Sequence, residues 1–171
     1  MKAIYVTDKL SLWKFAAEVE ATHILSLLDD GDKPFLPHGF NRDNAKLVNM
    51  LDVEGRWDYG APKFEQFVDI MNWSANLPED AILVVHCYAG VSRSTATALG
   101  IMVQKYGLDK IDWCASKLLE IRDIASPNML IAEYIDTILN ANGKLYIASH
   151  GLNLHQENKK LAKLKEKLGE I

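Results

Sequence analysis

Apolar residues in this chain alternate between two rhythms, short continuous runs and stripes at helical spacing. Lys2–Asp8 (KAIYVTD) reads as a first strand, and Lys9–Ala21 (KLSLWKFAAEVEA) as a short helix with Leu12, Phe15, Ala16 and Val19 on one face. Thr22–Asp30 (THILSLLDD) is a buried strand, ended by the turn-rich stretch DDGDKPFLPHG. Ala45–Asp52 (AKLVNMLD) is a further strand. From Pro62 the spacing predicts a helix with Phe64, Phe67, Val68 and Met71 on a single stripe and proline in its first turn. The run AILVV, beginning at Ala81, suits a central strand covered on both faces. Three helices follow, over Ser94–Tyr106 (closed by Gly107), Asp109–Ile124 and Asn128–Asn140 (closed by Gly143).

Strands alternating with helices, then a helical tail, imply an α/β layer fold with a mostly parallel central sheet flanked by helices. At 171 residues one domain is the simplest organisation, with a phosphate-handling domain over residues 1–150 and a basic helix or tail over 151–171. In the tail, Leu161, Leu164 and Leu168 recur at helical spacing among lysines, a thin stripe that suits a solvated or docking helix better than a membrane-surface one. The net charge of −4 gives no footprint for nucleic acid, and no apolar run is long enough to cross a bilayer. The amino-terminal stretch lacks a signal-peptide pattern, and two cysteines make no disulfide framework. A cytoplasmic monomer without stable membrane association is the expectation.

The chemistry concentrates in Ala81–Gly100, AILVVHCYAGVSRSTATALG, where the apolar run ends in His86 and Cys87 and a glycine-containing loop leads into a helix. Such a loop turns successive backbone N–H groups toward one point, and the helix start adds partial positive charge, so the place is an anion cradle. Gly90 lets the backbone bend, and the planar guanidinium of Arg93 can grip two oxygens of a phosphoryl group. At the centre, Cys87 sits in a positive field that favours thiolate over thiol, making it a nucleophile aimed at phosphorus. Cys114 shares a helical face with Ile111, Ala115 and Leu118 and reads as a core residue.

Cys87-x5-Arg93 within HCYAGVSRS resembles the signature of the cysteine-based protein tyrosine phosphatases, in the dual-specificity-like branch. The resemblance extends upstream to ATHILSLLD and downstream to ASKLLEIRDIASPNMLIAEYID, covering most of Ala21 to Asn140, and its overall look is of the small bacterial single-domain members. It implies a substrate-binding loop formed by Tyr88, Ala89, Gly90, Val91, Ser92 and Arg93, with His86 orienting that loop. It also implies that Ser94 eases departure of the thiolate when the phosphocysteine is hydrolysed, although serine here could equally cap the helix.

A phenolic leaving group needs a proton, so a carboxylic acid must face the loop. The branch places an aspartate on a loop after an upstream strand, where Asp52, Glu54 and Asp58 are the candidates. Asp52 directly follows the Val48, Met50 alternation and matches that arrangement. Asp58, in WDYGAP, is the alternative acid, although Tyr59 holds the place where glycine would follow it in another branch of the superfamily. Trp57 and Tyr59 could line the rim against an aromatic substrate or anchor the loop. Arginine and amides supply the countercharge, so the expectation is no cofactor and no metal, and the five histidines show no ligand-like spacing. None of Tyr88, Ala89, Val91 and Ser92 is basic, which leans away from polyanionic phosphoinositides and toward phosphotyrosine or phosphoserine/threonine proteins. The alternatives are a phosphatase of a small-molecule or lipid phosphate, and a catalytically silent phosphate-binding module.

Overall fold

A computed structural model describes residues 1–168. Four strands, β1 (Ala3–Asp8), β2 (His23–Leu28), β3 (Ala45–Asn49) and β4 (Ile82–Cys87), form one sheet in the order β1-β4-β2-β3, and every pairing is parallel. The helices are α1 (Leu12–Glu18), α2 (Phe64–Ala75), α3 (Arg93–Tyr106), α4 (Ile111–Ile121), α5 (Met129–Ile138) and α6 (Lys144–Leu168).

Side chains alternate across the pleat, so each strand feeds two cores. Ile4 and Val6, Leu25 and Leu27, and Leu83, Val85 and Cys87 face the larger cluster, shared with α2 to α6. Ile24 and Val84 face a smaller one, closed by Leu12 and Ala16 of α1 and by Leu36 and Phe40 from the loop after β2. With both faces covered, β4 lies between β1 and β2 and can be apolar throughout, as its run of valines requires. On α2 the fully buried positions are Phe67, Ile70 and Met71, with Phe64 and Val68 only partly buried, so the stripe is rotated slightly from the one read in the sequence. Burying Phe67 alone removes enough apolar surface to stabilise the fold by roughly 2–3 kcal/mol.

Two elements differ from the sequence expectation. Strand β3 ends at Asn49, because the Leu51 amide turns away to donate to the Gly60 carbonyl (2.7 Å). The last helix begins well before the lysine-rich tail: Asp136 accepts from the amides of Gly143 (2.8 Å), Leu145 (2.9 Å) and Tyr146 (3.2 Å), capping α6 from the preceding helix. The helix therefore runs without interruption through residue 150, burying Leu145, Ser149, Leu152 and Gln156.

Candidate active site

The carboxyl end of β4 delivers Cys87 to the point where α3 begins, and the five residues between them form a loop whose direction is fixed from outside. Each of its carbonyls accepts from a donor outside the loop. Tyr88 O accepts from Lys9 N (3.0 Å), Val91 O from Ser126 N (3.0 Å) and Ser92 O from Asn128 N (3.3 Å). Arg122 takes the remaining two, donating through Nη2 to Ala89 O and through Nε to Gly90 O, each at 2.9 Å. Among the described residues, the amides of Tyr88, Ala89, Gly90, Val91 and Ser92 donate to no protein acceptor. With its carbonyls held from elsewhere and its amides without protein acceptors, the loop has the hydrogen-bonding character of a nest that an anion could fill. Gly90 makes the turn possible: its φ is +66°, and a Cβ there would stand 2.5 Å from Thr7 O and 2.9 Å from Asp8 N.

Arg93 opens α3 with its side chain only 3% exposed. Nη1 donates to Asp29 Oδ1 (2.6 Å) and to Met50 O (2.5 Å), which locks the fork from the rear. Its Nε is buried and has no protein partner, with Asp52 Oδ2 standing off at 3.9 Å. A desolvated guanidinium N–H left open beside five free amides suits a phosphoryl oxygen.

Ser94 Oγ lies 3.2 Å from Cys87 Sγ, and both side chains are buried. The N-cap position of α3 belongs to Ser92, so Ser94 is not employed there. His86 points to the opposite face of the sheet, where its register partner on β2 is Ser26. Nε2 shares a 2.7 Å hydrogen bond with Ser26 Oγ, and Nδ1 lies 3.3 Å from the Cys87 carbonyl. Burial lowers the His86 pKa to about 4, so the ring is neutral near pH 7. Neutral imidazole bridges β2 and the backbone of Cys87 rather than facing the nest. Burial raises the Cys114 thiol to about 11, an inert core cysteine on α4.

The candidate acids part company. Asp52 Oδ1 accepts from Ser92 Oγ (2.7 Å) and from Asn128 Nδ2 (3.0 Å), which sets this carboxylate at the lip of the nest with its side chain 36% exposed. Glu54 accepts from the Met129 amide (2.7 Å) at the start of α5. Asp58 folds its carboxylate over Gly55 in a surface turn and is not joined to the loop by any hydrogen bond among the described residues. Trp57 and Tyr59 stand almost wholly in solvent, 94% and 89% exposed.

Two residues essential to this geometry carry no sequence signal of their own. Arg122 holds carbonyls 32 and 33 positions back in the chain. Asn128 caps α5 by accepting from Ile131 N (3.1 Å), and donates to Asp52 and to Val53 O (3.2 Å), tying helix, nest and acid loop together. Both fall inside the downstream stretch of family resemblance, the one hint at sequence level. Among the described residues, no group of His, Cys, Asp and Glu is placed to hold a metal ion.

No protein-family model and no curated protein matches the sequence. By structure the chain is similar to human DUSP28, with TM-score 0.63 and 12% identity over 83% of this chain and 94% of that one. It is similar to the human tyrosine phosphatase-like serine/threonine/tyrosine-interacting protein, with TM-score 0.62 and 16% identity over 81% and 96%. DUSP15 matches with TM-score 0.60 and 18% identity over 92% of each chain. The fold is the α/β fold of the dual-specificity phosphatases. On it, Cys87 ends β4 and Arg93 opens α3, with the five-residue loop between them.

Proposed function

We propose that the protein is a metal-independent cysteine phosphatase acting on phosphotyrosine, and also on phosphoserine or phosphothreonine, in protein substrates. One observation supports this reading: every carbonyl of the loop after Cys87 accepts from a donor outside the loop, while its amides and the buried Arg93 Nε have no protein partner. A module that only bound phosphate would need the amides and the arginine, but not a thiol at the centre with a hydroxyl 3.2 Å from its sulfur.

In the first step the Cys87 thiolate attacks phosphorus, forming S–P and breaking the P–O bond to the substrate, while Asp52 gives its proton to the leaving oxygen. In the second, Asp52 takes a proton from the attacking water, the S–P bond breaks, and phosphate departs. Ser94 Oγ–H then stabilises the returning thiolate. Charge on the equatorial oxygens is met by the loop amides and by Arg93, held rigid by Asp29 and Met50 before substrate arrives. Asp52 is favoured over Asp58 because only the former is hydrogen-bonded to the loop.

The deciding experiment is phosphate release from a phosphotyrosine peptide by the wild type and by Cys87→Ser, in chelator. Release by the wild type that is lost in the variant is the expected result. Equal release by both, or none by the wild type with phosphate still bound, would overturn the enzyme reading in favour of adventitious activity or a binding module.

A further inference from the structure

A concavity that Cys87 does not line lies beside the segment leading into Asp52. A groove of about 1000 Å³ starts at Asn49, Met50 and Leu51, the residues leading into Asp52, and runs between the 56–66 segment and α5. Met50 belongs to both places, since its carbonyl holds Arg93. Leu51 and Met50 stand one and two positions before Asp52 and consecutive Cα atoms are about 3.8 Å apart, so this wall of the groove lies next to the proposed proton donor.

Its walls are aromatic and acidic. On one side Arg56 donates to Glu133 (2.7 Å) and its guanidinium lies 5.5 Å from the Tyr134 ring, which packs edge-on against Phe64, a firm apolar floor. Above it stand Trp57 and Tyr59, whose rings the fold leaves in water. The carboxylates of Asp30, Asp58 and Glu65 also line the groove and enter no ion pair among the described residues, against the single amine of Lys63. Exposed rings beside unpaired carboxylates favour one kind of occupant, an extended segment bearing lysine or arginine, which meets both the ring faces and the negative charge.

We infer that this groove binds the substrate segment flanking the phosphorylated residue, and that it selects basic side chains there. This rests on the phosphatase reading of Cys87 and names the substrate class of that site. An acidic flank or a polyphosphorylated ligand is repelled by the same carboxylates.

Two Ala-rich phosphotyrosine peptides, one with arginines and one with glutamates on either side of the phosphotyrosine, test it alongside p-nitrophenyl phosphate, which carries no flanking residues. At low salt kcat/KM should favour the arginine peptide by roughly tenfold, and the preference should shrink as salt rises. Trp57→Ala combined with Glu65→Lys, both at exposed positions, should bring the ratio near one while leaving p-nitrophenyl phosphate turnover within about twofold. Equal turnover of both peptides by the wild type, or a preference that survives in the variant, would overturn the inference. If the wild type hydrolyses nothing, the phosphatase reading fails by itself. The groove is then judged by fluorescence anisotropy of the same labelled peptides, where tighter binding of the arginine peptide upholds basic selection and equal affinity ends it.

Discussion

Asp52 and Asp58 are six positions apart in one loop, yet they sit in different environments. Asp52 shares Ser92 with the nest and Asn128 with α5, so Asp52→Asn should lower kcat toward an aryl phosphate by about 10²–10⁴-fold and flatten the limb of the pH–rate profile set by the acid. Asp58→Asn should leave both nearly unchanged, and the reverse pattern would move the acid to Asp58. For Ser94 the expected effect lies in the second step. A hydroxyl donating to a thiolate is worth about 1.5–3 kcal/mol, so Ser94→Ala should slow steady turnover by roughly ten- to hundredfold while a burst of released phenol persists. Stopped-flow traces without a burst would remove the serine from that role. His86 makes a stability prediction instead. Burial holds its folded pKa near 4 against about 6.5 in the unfolded chain, so the unfolded state binds the extra proton between those values. The folded state keeps its full margin above pH 6.5 and loses up to roughly 3 kcal/mol as pH falls toward 4. Urea midpoints at pH 7 and pH 4.5 should therefore converge more for His86→Gln than for the wild type, because glutamine removes the titration and keeps a polar partner for Ser26. Parallel losses in the two proteins would mean that carboxylates alone set the acid limb.

At the scale of elements, the nest is made by its neighbours as much as by its own residues. The cysteine and arginine were legible because an apolar run, a glycine-containing turn and a helix start follow one another without a break. Nothing in the sequence around Arg122 distinguishes a clamp on two distant carbonyls from a solvated arginine near the end of α4, because the meaning of that side chain comes from the close packing of α3 on α4 and α5. Gly100 lets α3 approach α5, since a Cβ there would fall 2.5 Å from the Ile135 side chain. The alternation that carried β3 on to Asp52 was likewise misleading, because after one last bond from the Met50 amide to Leu28 O of β2, the Met50 carbonyl serves Arg93 and the Leu51 amide serves Gly60. Arg122→Lys tests the clamp: one ammonium cannot reproduce a fork donating to Ala89 O and Gly90 O together. Inhibition by inorganic phosphate should weaken by about tenfold or more and KM should rise, with a melting temperature only slightly changed. A variant that melts earlier but binds phosphate as tightly would reduce Arg122 to a structural residue.

Considered as a whole molecule, the chain brings its far end back to support its centre. The sequence suggested a division near residue 150 because the lysine-rich stretch looks solvated, and beyond Gln156 it is largely exposed. Helix α6 nonetheless crosses that point with Leu152 buried and reaches the segment that holds the nest. Asn153 Nδ2 donates to Pro127 O (3.0 Å) and its Oδ1 accepts from Ser126 Oγ (2.8 Å), while Gln156 Nε2 donates to Asp123 O (2.8 Å). Ser126 and Asn128 in turn carry the carbonyls of Val91 and Ser92. The proposed catalytic loop thus stands on the 123–128 segment, and that segment stands on α6. A chain ended after residue 160 should match the full chain in melting temperature and in p-nitrophenyl phosphate turnover, because every described position it loses, 161–168, is exposed. Ending it after residue 150 removes Leu152, worth roughly 2 kcal/mol of burial, together with the three hydrogen bonds, and should lower the melting temperature by several degrees and weaken phosphate binding. Should that shorter chain fail to fold, Asn153→Ala asks the same question at one position. Loss of phosphate affinity greater than its small cost in stability would show that the support reaches the nest, whereas unchanged affinity would make α6 a cover for the core alone.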